Sequence, residues 1–127
     1  MPTKKQSDLL VITKTRDLAN YVFTITHKSP KEYRFSIVSR IQNYVLDAVE
    51  NLYRANAVQL TSQTIMNREH YQREAMTAFR LLGTVAQIGS EQGAITAHQL
   101  EQIAMQVSDC EHLLGAWVNS DRKRLSK

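Results

Sequence analysis

The chain has 127 residues, a length that suits a single domain of residues 1–127, and its 43% hydrophobic and 22% charged residues are typical of a globular protein. A single cysteine excludes an internal disulfide framework and a cysteine-based zinc site, which fits a reducing cytoplasm, and no apolar run has the length of a signal-peptide core or a membrane span. The net charge is +4, and its excess lies in residues 1–31 and 119–127, so an anionic partner such as nucleic acid is a candidate.

Only four glycines and two prolines interrupt the chain, and this scarcity of helix breakers predicts an all-α fold. The first predicted helix covers residues 8–27, with Ser7 as its N-cap and Asp8 at the positive end of the helix dipole. Its core-facing stripe consists of Val11, Leu18, Val22 and Ile25.

The second predicted helix covers residues 30–58 and has the clearest start. Ser29 is placed as N-cap, Pro30 at the first helical position and Glu32 as the capping-box partner. Its apolar seam alternates by three and four residues through Val38, Ile41, Val45, Ala48, Leu52 and Ala55.

This helix also carries a second apolar face, formed by Phe35, Leu46, Val49 and Tyr53. One seam is enough for a bundle core, so a second apolar face predicts contact with another subunit. We therefore expect these four residues to form an oligomer interface.

Two further helices are predicted over residues 67–90 and 97–121. The seam of the first is Tyr71, Ala75, Ala78, Leu82 and Val85. The last helix starts at a capping box of Thr96 and Gln99, and its seam is Leu100, Ile103, Val107, Cys110, Leu114 and Trp117. Four amphipathic helices on short connections predict an antiparallel up-down-up-down four-helix bundle.

Motifs for catalysis or metal binding are missing from the sequence. The four histidines are scattered, no Glu-x-x-His pair occurs, and there is no nucleotide-binding loop or nucleophile motif, so we predict no catalytic residue, no metal site and no cofactor. Arg68 and His70 are too close for the Arg–His spacing of small helical ribonucleases, the weakest of the alternatives. Cys110 and Trp117 lie on a seam, which favours core packing over thiol chemistry or base stacking.

The cations carry the remaining functional signal. Arg40 and Arg54 share a face of the second predicted helix, and Arg73 and Arg80 share a face of the third. Three more cations, at positions 122–124, follow the last seam. We expect them to be exposed and unpaired because they lie at the end of the helix. Dipole compensation and surface ion pairs are the plain alternative. In order of preference, the candidate phosphate contacts are Arg122, Lys123, Arg124, Arg73, Arg80, Arg40 and Arg54, the last two being alternatively interface ion pairs.

Three segments of the chain, residues 28–56, 71–85 and 113–124, resemble a known family of small bacterial four-helix-bundle proteins. The most specific is the last, LLGAWVNSDRKR, in which an apolar pair, a glycine and a tryptophan precede a run of cations. The family is that of the accessory variability determinant (Avd) of diversity-generating retroelements, with the 23S rRNA intervening-sequence proteins as wider relatives.

The resemblance implies a positively charged bundle that assembles as a homopentameric barrel. It implies binding of RNA and DNA and of a reverse transcriptase during mutagenic retrohoming, without catalytic activity. In the alternative, the chain is a structural homo-oligomeric scaffold of the intervening-sequence type, with a protein or rRNA partner and only solubilising cations.

Overall fold

The computed structural model describes residues 2–126, with side chains from Leu10 onward. Within this part of the chain there are four α-helices and no strand, which confirms the predicted all-helical class. The helices are α1 (Pro2–Thr26), α2 (Ser39–Ala57), α3 (Ile65–Gln92) and α4 (Ala97–Leu125). None of them, as far as it is described, is long and apolar enough to cross a membrane.

Each helix packs against two others, in the cyclic order α1, α2, α3, α4. Opposite ends of successive helices meet. The Gln42 amide near the start of α2 donates to Thr26 Oγ1 at the end of α1, at 3.0 Å, and Arg68 in α3 bonds Asp121 near the end of α4. Successive helices therefore run antiparallel, as in a four-helix bundle.

The core consists of the predicted seams with one shift of phase. All the seam residues of α1 and α2 are buried, and Trp117 and Phe79 are the largest wholly buried side chains. In α3, Tyr71 and Val85 are only half-buried, because the helix turns Gln72, Phe79 and Ala86 inward instead. Cys110 is 1% exposed, and this burial raises the pKa of its thiol.

The predicted starts of the first two helices are wrong. α1 is already helical at Pro2, so Ser7 cannot be its N-cap, although the side chains of Ser7 and Asp8 lie outside the described residues. The capping box of Ser29 and Glu32 does not form, because the Ser29 N–H donates to Thr26 O at 3.1 Å and this residue still belongs to the turn that ends α1.

A 3₁₀ turn (31–33) and a π-helical turn (34–38) precede α2 in place of a regular first turn. The Tyr33 hydroxyl fixes this segment to the end of α3 by donating to Gln92 O at 2.5 Å. The irregular winding turns Phe35 outward, where 89% of it is exposed.

The connection between α3 and α4 follows local sequence rules. Gly93 ends α3 in the left-handed region, with φ of 88°, a conformation that costs glycine little. The predicted capping box is confirmed: the Gln99 N–H donates to Thr96 Oγ1 at 3.0 Å, and the Thr96 N–H donates to Gln99 Oε1 at 2.9 Å. α4 then continues past its predicted end to Leu125, so the terminal cations are helical.

Candidate nucleic-acid interface

A buried polar network lies where the end of α4 meets the start of α3. The Asp121 carboxylate is fully buried and accepts two hydrogen bonds from Arg68, from Nε at 2.7 Å and from Nη2 at 3.1 Å. The Gln72 amide donates to the same carboxylate at 3.0 Å, and Arg68 Nη1 donates to Val58 O at 2.9 Å. This bidentate, charge-assisted pairing of Arg68 with Asp121 fixes the last turns of α4 on α3.

Trp117 forms the apolar side of this network. Its ring is 1% exposed, and the Arg68 guanidinium carbon lies 5.0 Å from the ring centroid, a cation–π contact. The expected core role of Trp117 is confirmed, since a ring buried in this way cannot stack on a nucleobase.

Sequence reasoning missed Arg68, Gln72 and Asp121. The signal was the continuation of the seams: Asp121 follows Trp117 by four residues, and Gln72 precedes Ala75 by three. A search for apolar side chains alone stops where a seam becomes polar.

Two of the three terminal cations form ion pairs, although all three were expected to be unpaired. Arg122 Nε donates to Glu69 Oε2 at 3.1 Å, and Arg124 Nη1 lies 3.6 Å from Asp121 Oδ1. The expectation is wrong for these two, because helical continuation to Leu125 brings them beside carboxylates of α3 and α4. Lys123 is exposed and makes no ion pair with any residue whose side chain is described.

A groove between α3 and α4 brings together three of the seven predicted cations. It consists of two adjoining cavities of about 260 and 460 Å³, which share Met76, Gly115 and Asn119 as lining residues. We call this feature the α3–α4 groove. Its cationic lining residues are Arg73 and Arg122 in the smaller cavity and Arg80 in the larger one.

Other residues complete the lining. Leu114 and Val118 add apolar surface to the smaller cavity, while Glu69 and Glu111 contribute one carboxylate to each cavity. Arg122 uses only Nε in its bond to Glu69, and its two terminal nitrogens have no hydrogen bond within the described part of the chain. The N–H donors on these two nitrogens of Arg122 are therefore available to an external anion.

Arg40 and Arg54 do not join this groove. Both belong to α2 and line neither of its cavities. Arg54 Nε bonds Glu50 Oε2 at 2.9 Å within the same helix, and this hydrogen bond raises the pKa of Arg54. Arg40 Nη1 donates to the Tyr44 hydroxyl at 3.3 Å. The structure thus separates the seven predicted contacts into an α3–α4 group and an α2 group.

The second apolar face of α2 is exposed in the isolated chain. Leu46 and Tyr53 on α2 are 47% and 49% exposed, and Val49 between them is half-buried. Phe35, the fourth predicted interface residue, lies in the π-helical turn before α2 and is 89% exposed. Exposed apolar side chains on one helix are typical of surfaces that associate, and the oligomer interface stays a prediction.

The model of a protein family described as bAvd-like matches residues 9–121, which is most of the chain. No curated protein matches it.

Proposed function

The chain belongs to the bAvd-like family, and we propose that it is a non-catalytic accessory protein that holds nucleic acid beside a reverse transcriptase during mutagenic retrohoming. The family generally consists of accessory proteins without catalytic activity. The proposed ligands are template RNA and its cDNA, bound through phosphates with weak sequence specificity, in the cytoplasm.

The cationic lining of the α3–α4 groove is the observation that carries this proposal. Arg73 and Arg80 are seven residues apart on one helix face, or about 10 Å at 1.5 Å per residue. Arg122 lines the same groove near the bundle end, and Lys123 is exposed at the next position of α4. Arginine and lysine side chains that neutralise phosphates release counterions, so such a surface binds a polyanion without reading its sequence.

Assembly into a ring, which we propose to be a homopentamer, would multiply this modest charge. Five copies of a chain of charge +4 carry about +20, and repeated positive surfaces around one axis raise the local potential. The exposed α2 face supports association: burial of about 500 Å² of apolar surface per subunit would contribute roughly 12 kcal/mol at about 25 cal/mol per Å². Association costs of roughly 4–15 kcal/mol oppose it.

A salt titration tests nucleic-acid binding. We expect affinity for structured RNA to fall steeply between about 50 and 200 mM salt, and the triple replacement Arg73→Gln, Arg80→Gln, Lys123→Gln to weaken binding and flatten the salt slope. The matched control is Arg34→Gln with Arg40→Gln and Arg54→Gln, because it also removes three cations but from α2 and the turn before it. Equal losses in the triple variant and the control would contradict the assignment of this surface.

Light scattering tests the ring. We expect the wild-type chain to have the mass of five subunits and Leu46→Glu with Tyr53→Glu to reduce that mass, since two charges on the α2 face oppose burial. Met105→Glu, which places a charge on an equally exposed apolar residue of α4, should leave the mass unchanged. A wild-type mass near 14.5 kDa would overturn the ring.

The second candidate function is a structural scaffold of the intervening-sequence type with a protein or rRNA partner. The exposed α2 face favours it as much as it favours the ring, and the ion pairs of Arg122 and Arg124 suit cations that only solubilise the chain. Absence of RNA binding at any moderate salt concentration, with the ring intact, would support the scaffold over the accessory role.

A further inference from the structure

A histidine, His112, lines the α3–α4 groove and has no part in the phosphate contacts proposed above. It lines the larger cavity together with Arg80, Ser108 and Asn119. Its side chain is exposed and forms no hydrogen bond or ion pair within the described part of the chain. The imidazole ring is therefore free to contact a ligand that enters the groove.

Each cavity of the groove combines one basic residue of α3 with one of α4. Arg73 and Arg122 line the smaller cavity, and Arg80 and His112 line the larger one. Because α3 and α4 run antiparallel, these four residues form two short rows along the groove. Arg73 and Arg80 lie about 10 Å apart along α3, and His112 and Arg122 lie about 15 Å apart along α4, at 1.5 Å per residue. Rows of this length can reach several consecutive phosphates of one strand.

The net charge of the groove depends on His112. Carboxylates also line it, Glu69 in the smaller cavity and Glu111 in the larger one. Three arginines against two carboxylates give the described lining a formal charge of +1 while His112 is neutral, and in the larger cavity Arg80 and Glu111 cancel. Protonation of His112 makes the larger cavity positive and raises the groove to +2. Histidine is the side chain whose charge ordinarily changes between about pH 5 and about pH 8.

The other charged groups around His112 do not supply such a change. α4 packs against α1 and α3. The charged residue that α3 contributes to the described lining of the larger cavity is Arg80, and α4 itself contributes Glu111. Three further charges act on the buried Cys110 thiol and line neither cavity: Lys14, Asp17 and Asp109. Since arginines and carboxylates ordinarily keep their charge near neutral pH, His112 is the lining residue that can alter the charge of the groove there.

We infer that His112 is a further phosphate-contacting residue of the α3–α4 groove that acts only when it is protonated, so that the groove binds nucleic acid more tightly below neutral pH. The inference rests on the proposed function and adds to it a fourth contact and a dependence on pH. A protonated imidazole donates from both ring nitrogens, and a phosphate oxygen that accepts from it forms a charge-assisted hydrogen bond. The Arg80 guanidinium can donate to the same strand from the facing helix.

The test compares the affinity of the protein for an oligouridine strand at about pH 5.5 and about pH 8, at one salt concentration. Uracil stays uncharged and phosphodiesters stay ionised across this range, so a change in affinity comes from the protein. We expect the wild type to bind about fivefold more tightly at the lower pH, the factor for one added contact between unit charges about 4 Å apart in water. Counterion release should also steepen the slope of log affinity against log salt by about 0.7.

Three variants identify the residue. His112→Gln should bind as the wild type does at the higher pH and should lose the gain at the lower pH. His112→Arg carries a fixed charge, so it should bind at the higher pH as tightly as the wild type does at the lower pH. His98→Gln is the matched control and should keep the full gain, because it removes another exposed histidine of α4 that lines neither cavity.

The outcomes separate this inference from the proposed function. An affinity that does not change with pH, or a gain that persists in His112→Gln, would overturn the role of His112 and leave the arginine contacts standing. An equal loss of the gain in His98→Gln would also overturn it, because the effect of pH would then not belong to the groove. A wild-type protein that binds no strand at either pH would refute the proposed function together with this inference.

Discussion

Removal of the Asp121 charge should be among the most damaging single changes in this bundle. Asp121→Asn keeps the shape of the side chain but removes the carboxylate charge that pairs with the Arg68 guanidinium, which is 6% exposed. Removing one partner of a buried ion pair costs about 3–5 kcal/mol. Since domains are typically stable by about 5–15 kcal/mol, this variant should lose a large share of its free energy of unfolding.

A double-mutant cycle isolates the pair from the packing around it. Replacement of both charges, Arg68→Met with Asp121→Leu, should cost less free energy of unfolding than Arg68→Met alone or Asp121→Leu alone. The reason is that no buried charge is left uncompensated in the double variant. The Gln72 amide then loses its acceptor, which keeps the double variant below the wild type. Urea unfolding followed by circular dichroism at one protein concentration measures the cycle. Single losses under about 1 kcal/mol, or additive losses, would refute the energetic role assigned to the network.

Four further predictions concern local features. Thr96→Ala should lower the free energy of unfolding by about 1 kcal/mol, because the capping box is lost, and thermal unfolding beside Thr96→Ser measures this. Gly93→Ala should also destabilise the chain, by about 1 kcal/mol, since φ of 88° strains a residue with a Cβ, whereas Gly115→Ala in an open helical position should stabilise it by a similar amount. The Cys110 thiol, with its raised pKa, should resist alkylation near pH 8 until denaturant is added, and rapid alkylation of the native protein would contradict its burial. The free energy of unfolding should fall at alkaline pH, because the thiol ionises more readily in the unfolded chain.

Periodicity predicted the helices because apolar spacing and local capping rules act over a few residues. The seam of α4 was correct from Ile103 to Trp117, and the box of Thr96 and Gln99 formed as expected. The same rules failed at Ser29, because its backbone N–H closes the turn that ends α1 by donating to Thr26 O, and the residue is therefore not placed to cap α2. That competition depends on how α1 ends and is not visible in a four-residue pattern.

The candidate site was predicted only in part. Helical spacing grouped Arg73 with Arg80, but nothing local showed that Arg122 would join them across two helices. The role of Arg68 depends on Asp121, which lies 53 residues away in sequence. Contacts of that kind follow from how α3 and α4 pack, so a single sequence without its fold does not reveal them.

The buried charges also select one alignment of the helices. Repeating apolar seams would still place apolar side chains opposite one another after a slide of α4 along α3 by one heptad, so the seams alone select the alignment less sharply than a pair of buried charges does. Such a slide would place the Asp121 carboxylate among side chains without hydrogen-bond donors. It would also bury the Arg68 guanidinium against apolar side chains. We expect this single mismatch to disfavour every shifted packing, so that the groove opens at the same place in each copy of the chain.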